Sequence, residues 1–198
     1  MKKEHLSELL YQAMETELGG EQIYLKALEC AQNEDLRKEW EKYLEETREH
    51  QEILGRVFAA ADLDVETETP GRRIVRHKGE ALIEAMDMAL EDGSPEMAEL
   101  VAAECVVDAE TKDHQNWELL IRAAGASTGE LASELQKAYA QVGEQEAHHL
   151  LHTRGFAREL WIQFLGMKAV LPPPEERKQV ATEIGAARAE QQRDAYRT

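Results

Sequence analysis

The chain has 198 residues, a formal net charge of −17 from 40 acidic and 23 basic residues, and only 12 Gly and 5 Pro. That length suffices for one domain with a proper core, and so few turn residues exclude a many-stranded sandwich or barrel, which needs turn signals about every 8–12 residues. The acidic balance argues against nucleic acid and anionic membranes as partners, since both require a basic face, and is compatible with cationic metals.

Apolar residues recur at helical spacing almost throughout, so the chain reads as all-α. The opening MKKEHLSELL has a basic pair but no apolar stretch of signal-peptide type. Helix A is expected over 4–31, and Asn33 is the N-cap of helix B over 34–62. A polar loop over 63–71 ends in Pro70 and Gly71, and the amphipathic stretch RRIVRHKGEALIEAMDMALEDG follows as a short helix within a long crossover. Ser94 and Pro95 read as N-cap and first residue of helix C, which runs to 124. Gly125 stops it, and Ser127 with Glu130 forms a capping box for helix D, expected to reach 168 with a bend near Gly155. Pro172, Pro173 and Pro174 break that helix, and a charged C-terminal helix of about 20 residues comes after them. Two tight turns force antiparallel neighbours, and the long B–C link lets helix C start at the far end, which gives an antiparallel four-helix bundle. Residues 1–168 form this bundle and residues 169–198 a proline break with a helical extension. No apolar run approaches membrane-spanning length, and Cys30 and Cys105 make neither a C-x-x-C pair nor a disulfide framework. A cytoplasmic protein is the expectation.

The inward stripes are interrupted by polar residues when each helix is projected at about 100° per residue. On helix A, Glu17 lies amid Leu6, Leu10, Ala13, Tyr24 and Leu28, with Glu21 at the edge. On helix B, Thr47 and His50 lie on the stripe and Glu46 beside it; on helix C, Glu110 and His114; on helix D, Glu146 and His149. A buried ionised carboxylate costs several kcal/mol unless it is paired, and Lys26, Arg37, Arg48, Lys112, Arg154 and Arg158 project away from these stripes. Shared protons or divalent metal must then supply the positive charge, and carboxylates clustered with histidines favour metal. Glu17 and His50 share a height, about 15 and 16 residues from the A–B turn. Glu110 and Glu146 are offset by about one turn, which keeps Glu104 open as a rival to Glu110 and leaves Glu21 and His114 open as additional ligands.

These residues resemble the ferritin-like superfamily of di-metal carboxylate bundles, which includes bacterioferritin, rubrerythrin and manganese catalase. Its pattern is a Glu on helices A and C and a Glu-x-x-His on helices B and D. Glu146-Ala147-His148-His149 matches that element, and Glu17 with Tyr24 repeats on helix C as Glu110 with Trp117. The segments HLSELL and YLEETREHQEILGRVFAA look like the stress-response YciF-like branch, and the likeness spans about residues 4–165. Two departures stand out. Thr47 occupies the helix B position where the pattern has Glu, with Glu46 the nearest carboxylate; and neither the C-x-x-C pairs of a full rubrerythrin nor the haem-ligating Met of bacterioferritin is present, Arg48 standing in the place of the latter.

The resemblance implies a di-iron or di-manganese oxidoreductase acting on dioxygen, peroxide or Fe(II) in stress or metal handling, with Glu17, Glu46, His50, Glu110, Glu146 and His149 as metal ligands. Oxygen ligands with one His per half suit iron or manganese rather than thiol-loving metals. Tyr24 and Trp117 are either core aromatics at helical spacing or local electron donors. Thr47 leaves two other readings: a mononuclear or buffering metal-binding protein, or a structural bundle whose site is partly degenerate. A homo-oligomer is expected, and the crossover helix and the tail after Pro174 favour a dimer over a hollow cage.

Overall fold

The computed structural model describes residues 1–196. Five long helices, α1 (Lys3–Cys30), α2 (Glu34–Ala60), α3 (Pro70–Asp92), α4 (Pro95–Gly125) and α5 (Gly129–Phe164), precede two short ones, α6 (Pro174–Arg177) and α7 (Glu183–Gln191), and a 3₁₀ turn (Arg193–Tyr196). Local chemistry sets most of the starts. The Asn33 side chain accepts from the amides of Asp35 and Leu36. Thr69 and Ser94 cap α3 and α4, each ahead of a proline whose missing N–H costs nothing in a first turn.

Cross-helix contacts fix the topology. Glu17 faces His50 and Glu21 faces Arg48, so α1 and α2 are antiparallel. Tyr24 meets Glu110 and Trp117 meets Glu17, so α4 runs against α1. Tyr43 meets His152 and His50 meets Gln145, so α5 runs against α2. The result is an all-α bundle in which α1, α2, α5 and α4 surround a common interior. The crossover helix α3 has 23 residues, over the amphipathic stretch that the sequence offers for it, and runs parallel to α1, from the Arg72–Glu15 pair to the Lys26–Asp87 pair, returning the chain to the end where α4 begins. Two glycines face each other where it meets α1, an added Cβ on Gly79 lying at an ordinary contact distance of 4.0 Å from the Gly19 Cα.

Three expectations near the C-terminus are corrected. The Ser127–Glu130 box does not form: Ser127 Oγ donates back to the Ala123 carbonyl at the end of α4, and α5 starts through Gly129 at φ 68°, a conformation only glycine adopts cheaply. Helix α5 continues through Gly155 without interruption and stops at Phe164 rather than at 168. Gly155 instead gives passage to the following segment, since an added Cβ would lie 3.1 Å from Pro173 and 2.9 Å from the Glu175 carboxylate. Finally, the single C-terminal helix is split into α6, α7 and the 3₁₀ turn. The chain turns at Gln179 (φ 48°) and folds back so that Val180, Ala186 and Ala189 pack on Ala147 and Leu151 of α5.

The interior has two apolar clusters. One surrounds Tyr24, Leu36, Trp40, Tyr43, Leu100 and Phe156, the other Leu10, Leu54, Val57, Trp117, Leu135 and Val142. Between them lies a polar waist. Cys30 and Cys105 are buried free thiols pushed up to about 11 by burial, and no helix among the described residues is long and apolar enough to cross a membrane.

Candidate metal centre

The waist is built from one side chain each on α1, α2 and α4 and two on α5, inward because the apolar residues on either side of them face inward. Glu17 and His50 are 0 % exposed, His149 0 %, Glu146 1 % and Glu110 4 %. Two groups of three emerge, Glu17–His50–Glu146 and Glu110–Glu146–His149, with one ligand atom from each member within 4.8 Å of the others. Glu146 belongs to both, so its carboxylate lies between the two halves. His50 Nδ1 is 3.0 Å from Glu146 and 3.4 Å from Glu17; His149 Nδ1 is 3.6 Å from Glu110 and 3.7 Å from Glu146. The two imidazoles stack with centroids 5.7 Å apart.

The α1–α2 and α4–α5 halves are related by an approximate two-fold. Trp117 Nε1 donates to Glu17 at 2.8 Å and Tyr24 Oη donates to Glu110 at 2.7 Å, so each half's aromatic holds the other half's glutamate. On the outer side, His50 Nε2 pairs with Gln145 at 3.1 Å and His149 Nε2 with Glu46 at 2.9 Å, while Gln145 donates to Glu46 at 3.1 Å. Glu46 and Gln145, each four residues before its histidine, are therefore counterparts, and Thr47 is the counterpart of Glu146. The structure thus places Glu46 behind His149 rather than in either group of three. A carboxylate on the outer ring nitrogen orients a metal-binding imidazole and strengthens it as a base.

The remaining candidates lie outside. Glu104 is exposed and takes Trp161 Nε1 at 2.7 Å. His114 is 3.9 Å from Glu118. Glu21 sits at the rim, held by Arg48 at 3.0 Å and Gln51 at 3.1 Å. Thr47 is buried with its methyl 3.5 Å from the place of a Cβ on Gly20.

Sequence reasoning missed two groups. Gln145 is one. The other is Asp113, buried three residues beyond Glu110 on α4, a spacing that puts both on one helix face. Burial raises its carboxyl well above the ordinary range, and the charges of Glu17, Glu146 and Glu110 raise it further. The ring of Tyr43 lies against His149 with centroids 4.2 Å apart.

The electrostatics of the waist are those of a site short of positive charge. Burial pushes Glu146 up to about 7, with His50 opposing and Glu110 and Glu17 adding to the rise. Burial alone would lower both imidazoles. The Glu17 charge and the approach of Glu146 instead leave His50 well above the usual histidine value, and contacts with Glu110 and Glu46 hold His149 at about 9. No basic side chain relieves this. Arg48 pairs with Glu21 and Glu45, Arg154 with Glu183, Arg158 with Glu159 and Glu175, and Lys26 with Glu29 and Asp87; Arg37 donates to the Leu28 and Ala31 carbonyls and Lys112 to Asn116. Glu17 Oε2, His50 Nδ1, Glu110 Oε2, Asp113 Oδ1, Glu146 Oε2 and His149 Nδ1 are all buried and lack a hydrogen-bond partner. Buried polar atoms are rarely left so, and this donor set of carboxylate oxygens and imidazole nitrogens suits iron or manganese. No protein-family model, curated protein or solved structure matches the chain.

Proposed function

We propose that this chain is a ferritin-like di-metal carboxylate protein, an oxidoreductase that uses iron or manganese to act on dioxygen, peroxide or Fe(II). The observation that carries the reading is the convergence of unpartnered, buried oxygen and nitrogen atoms on one point at the waist. Glu17, His50, Glu110, Glu146 and His149 would hold the metal, with Glu146 shared between two positions. Asp113 brings the buried carboxylates to four, matching the charge of two divalent cations despite Thr47. A bound redox metal supplies electron transfer to a small oxidant; this chain's residues fix where that happens. Trp117 and Tyr24 each hold one oxygen of Glu17 and Glu110, leaving the other buried and unpartnered. Gln145 and Glu46 hold the outer ring nitrogens, so both Nδ1 atoms face the centre. The two apolar clusters above and below keep bulk water out.

Thr47 favours a second reading, a protein that holds metal without turning over, because a hydroxyl carries no charge to offset a second cation. Thr47→Glu separates the two. Stopped-flow absorbance after mixing anaerobically Fe(II)-loaded protein with dioxygen or peroxide is expected to show fast oxidation in the parent and slower oxidation in the variant. Oxidation gained only in Thr47→Glu would establish the holder instead, and no Fe(II) retained by either protein would overturn both readings.

A further inference from the structure

On the α3 side of the bundle a cleft of about 350 Å³ opens between α1, α3 and α4. Its walls are Gly19 and Ile23 of α1, Val75, Gly79 and Leu82 of α3, and Ala109 of α4, and its size is that of a small-ligand pocket, about 300–1,000 Å³. Four charged groups, Glu15, Lys78, Asp108 and Lys112, qualify this apolar lining. Glu15 is already neutralised by Arg72 and Arg76, at 2.8 Å and 2.6 Å. Lys78 stands exposed on α3, and Lys112 is half-buried on α4 with a single protein partner, the Oδ1 of Asn116.

We propose that this cleft binds a singly charged amphiphilic anion, a medium-chain aliphatic carboxylate, with its headgroup on the Lys112 ammonium and its chain along Ile23, Val75 and Leu82. The ammonium has three donors, and the Asn116 amide uses one. Asn116 cannot take more than that role, because it is fully buried and donates in turn to Thr16 Oγ1 at 3.0 Å, which donates to the Gln12 carbonyl at 2.8 Å. The Lys112 side chain, which lines the cleft, is thereby tethered at its ammonium and keeps two donors without a protein partner. Among the described residues neither Lys112 nor Lys78 forms an ion pair, in a chain of net charge −17 where acidic partners abound. The exposed carboxylate of Asp108 at the mouth argues for one negative charge on the ligand rather than several. The proposal uses none of the metal-centre residues.

The test is isothermal titration calorimetry of decanoate, kept below its micellar concentration, into the full chain in both chelated and metal-loaded form. One saturating site per chain is expected in both, so failure of the metal reading leaves this result unaffected. Decanol, which lacks the charge, is expected to bind at least about ten-fold more weakly, as is decanoate to Lys112→Met, which keeps the apolar stem; a hydrogen bond to a charged group is worth about that factor. Ala81→Trp, which projects from α3 into the cleft, is expected to abolish binding while leaving the circular-dichroism melting curve in place. Absence of saturable decanoate binding, equal affinity for decanol, or unchanged affinity in Lys112→Met would each overturn the proposal.

Discussion

Glu159 and Glu146 sit on the same helix with 0 % and 1 % exposure, and their surroundings are opposite. Glu159 receives Arg193 at 2.6 Å, Arg158 at 3.1 Å and the Val170 amide at 2.8 Å, and these donors outweigh burial to hold it below the usual carboxylate range. Glu15 is treated likewise by Arg72 and Arg76, and Glu99 accepts the Gln32 and Asn33 amides at the α1–α2 turn. Glu146 has only the two imidazoles of His50 and His149 beside it, and burial holds it up to about 7. The chain therefore satisfies a buried carboxylate with arginine or backbone wherever the role is to join elements, α3 to α1 or the C-terminal segment to α5. At the waist it assembles four acids and withholds every fixed cation. Under the proposed function, the difference marks where an exchangeable cation would sit.

Breaking an arginine clamp should have the largest effect and be blind to metal. Arg72→Ala strips a buried guanidinium from Glu15 and from the Val65 and Thr67 carbonyls. It is expected to cost about 3 kcal/mol in denaturant unfolding, equally in chelated and metal-loaded protein; a loss confined to the loaded form would erase the distinction between the two regions.

Glu146→Gln should act the other way round. It removes the carboxylate common to both groups of three, so the metal-dependent gain in stability, about 2.7 kcal/mol at a hundred-fold excess over Kd, is expected to vanish. The chelated variant should be as stable as the chelated parent or more so, since a carboxylate without a cation has been neutralised. Glu46→Gln, behind His149, is expected to weaken metal binding by only about ten-fold; a larger loss than from Glu146→Gln would move Glu46 into the centre.

Acidity separates the regions with opposite signs. Glu146 at about 7 and His149 at about 9 lie above their ordinary values, so the metal-free fold binds protons more tightly than the unfolded chain. Their contribution to stability is complete below those ordinary values, about 4.3 and 6.5, and is lost as pH rises through about 7 and then about 9. Glu15 and Glu159 lie below the ordinary range, so what they contribute is lost only as pH falls. Thermal melting of chelated protein is expected to decline from pH 6 to pH 9, a decline that metal loading abolishes by displacing the protons; parallel profiles with and without metal would contradict this.

The long helices and five waist residues were legible because each is a local signal: a 3.6-residue stripe, a cap such as Asn33 or Ser94, an acid or imidazole interrupting the stripe. What depended on how helices roll against one another was not. Glu46 and Glu146 look alike in sequence, and only the α2–α5 contact shows that Glu46 pairs with Gln145 behind the imidazoles. Asp113, by contrast, stands three residues beyond Glu110, so helical spacing alone places it on the inward face of α4, whereas its neighbour His114 is only partly buried. The broken C-terminal segment follows from packing on α5, which leaves no periodic mark.

The most direct test of the central claim is anaerobic loading of chelated protein with Mn(II) or Fe(II) near pH 7, counting bound metal and released protons together. Cations that replace protons at the waist should bind at one or two per chain, release protons from groups such as Glu146 and His149, and raise the melting temperature. Both counts should collapse in Glu146→Ala and in His149→Ala. No retained metal, no proton release and superimposable melting curves would show that the waist is neutralised by its own protons, contradicting the account.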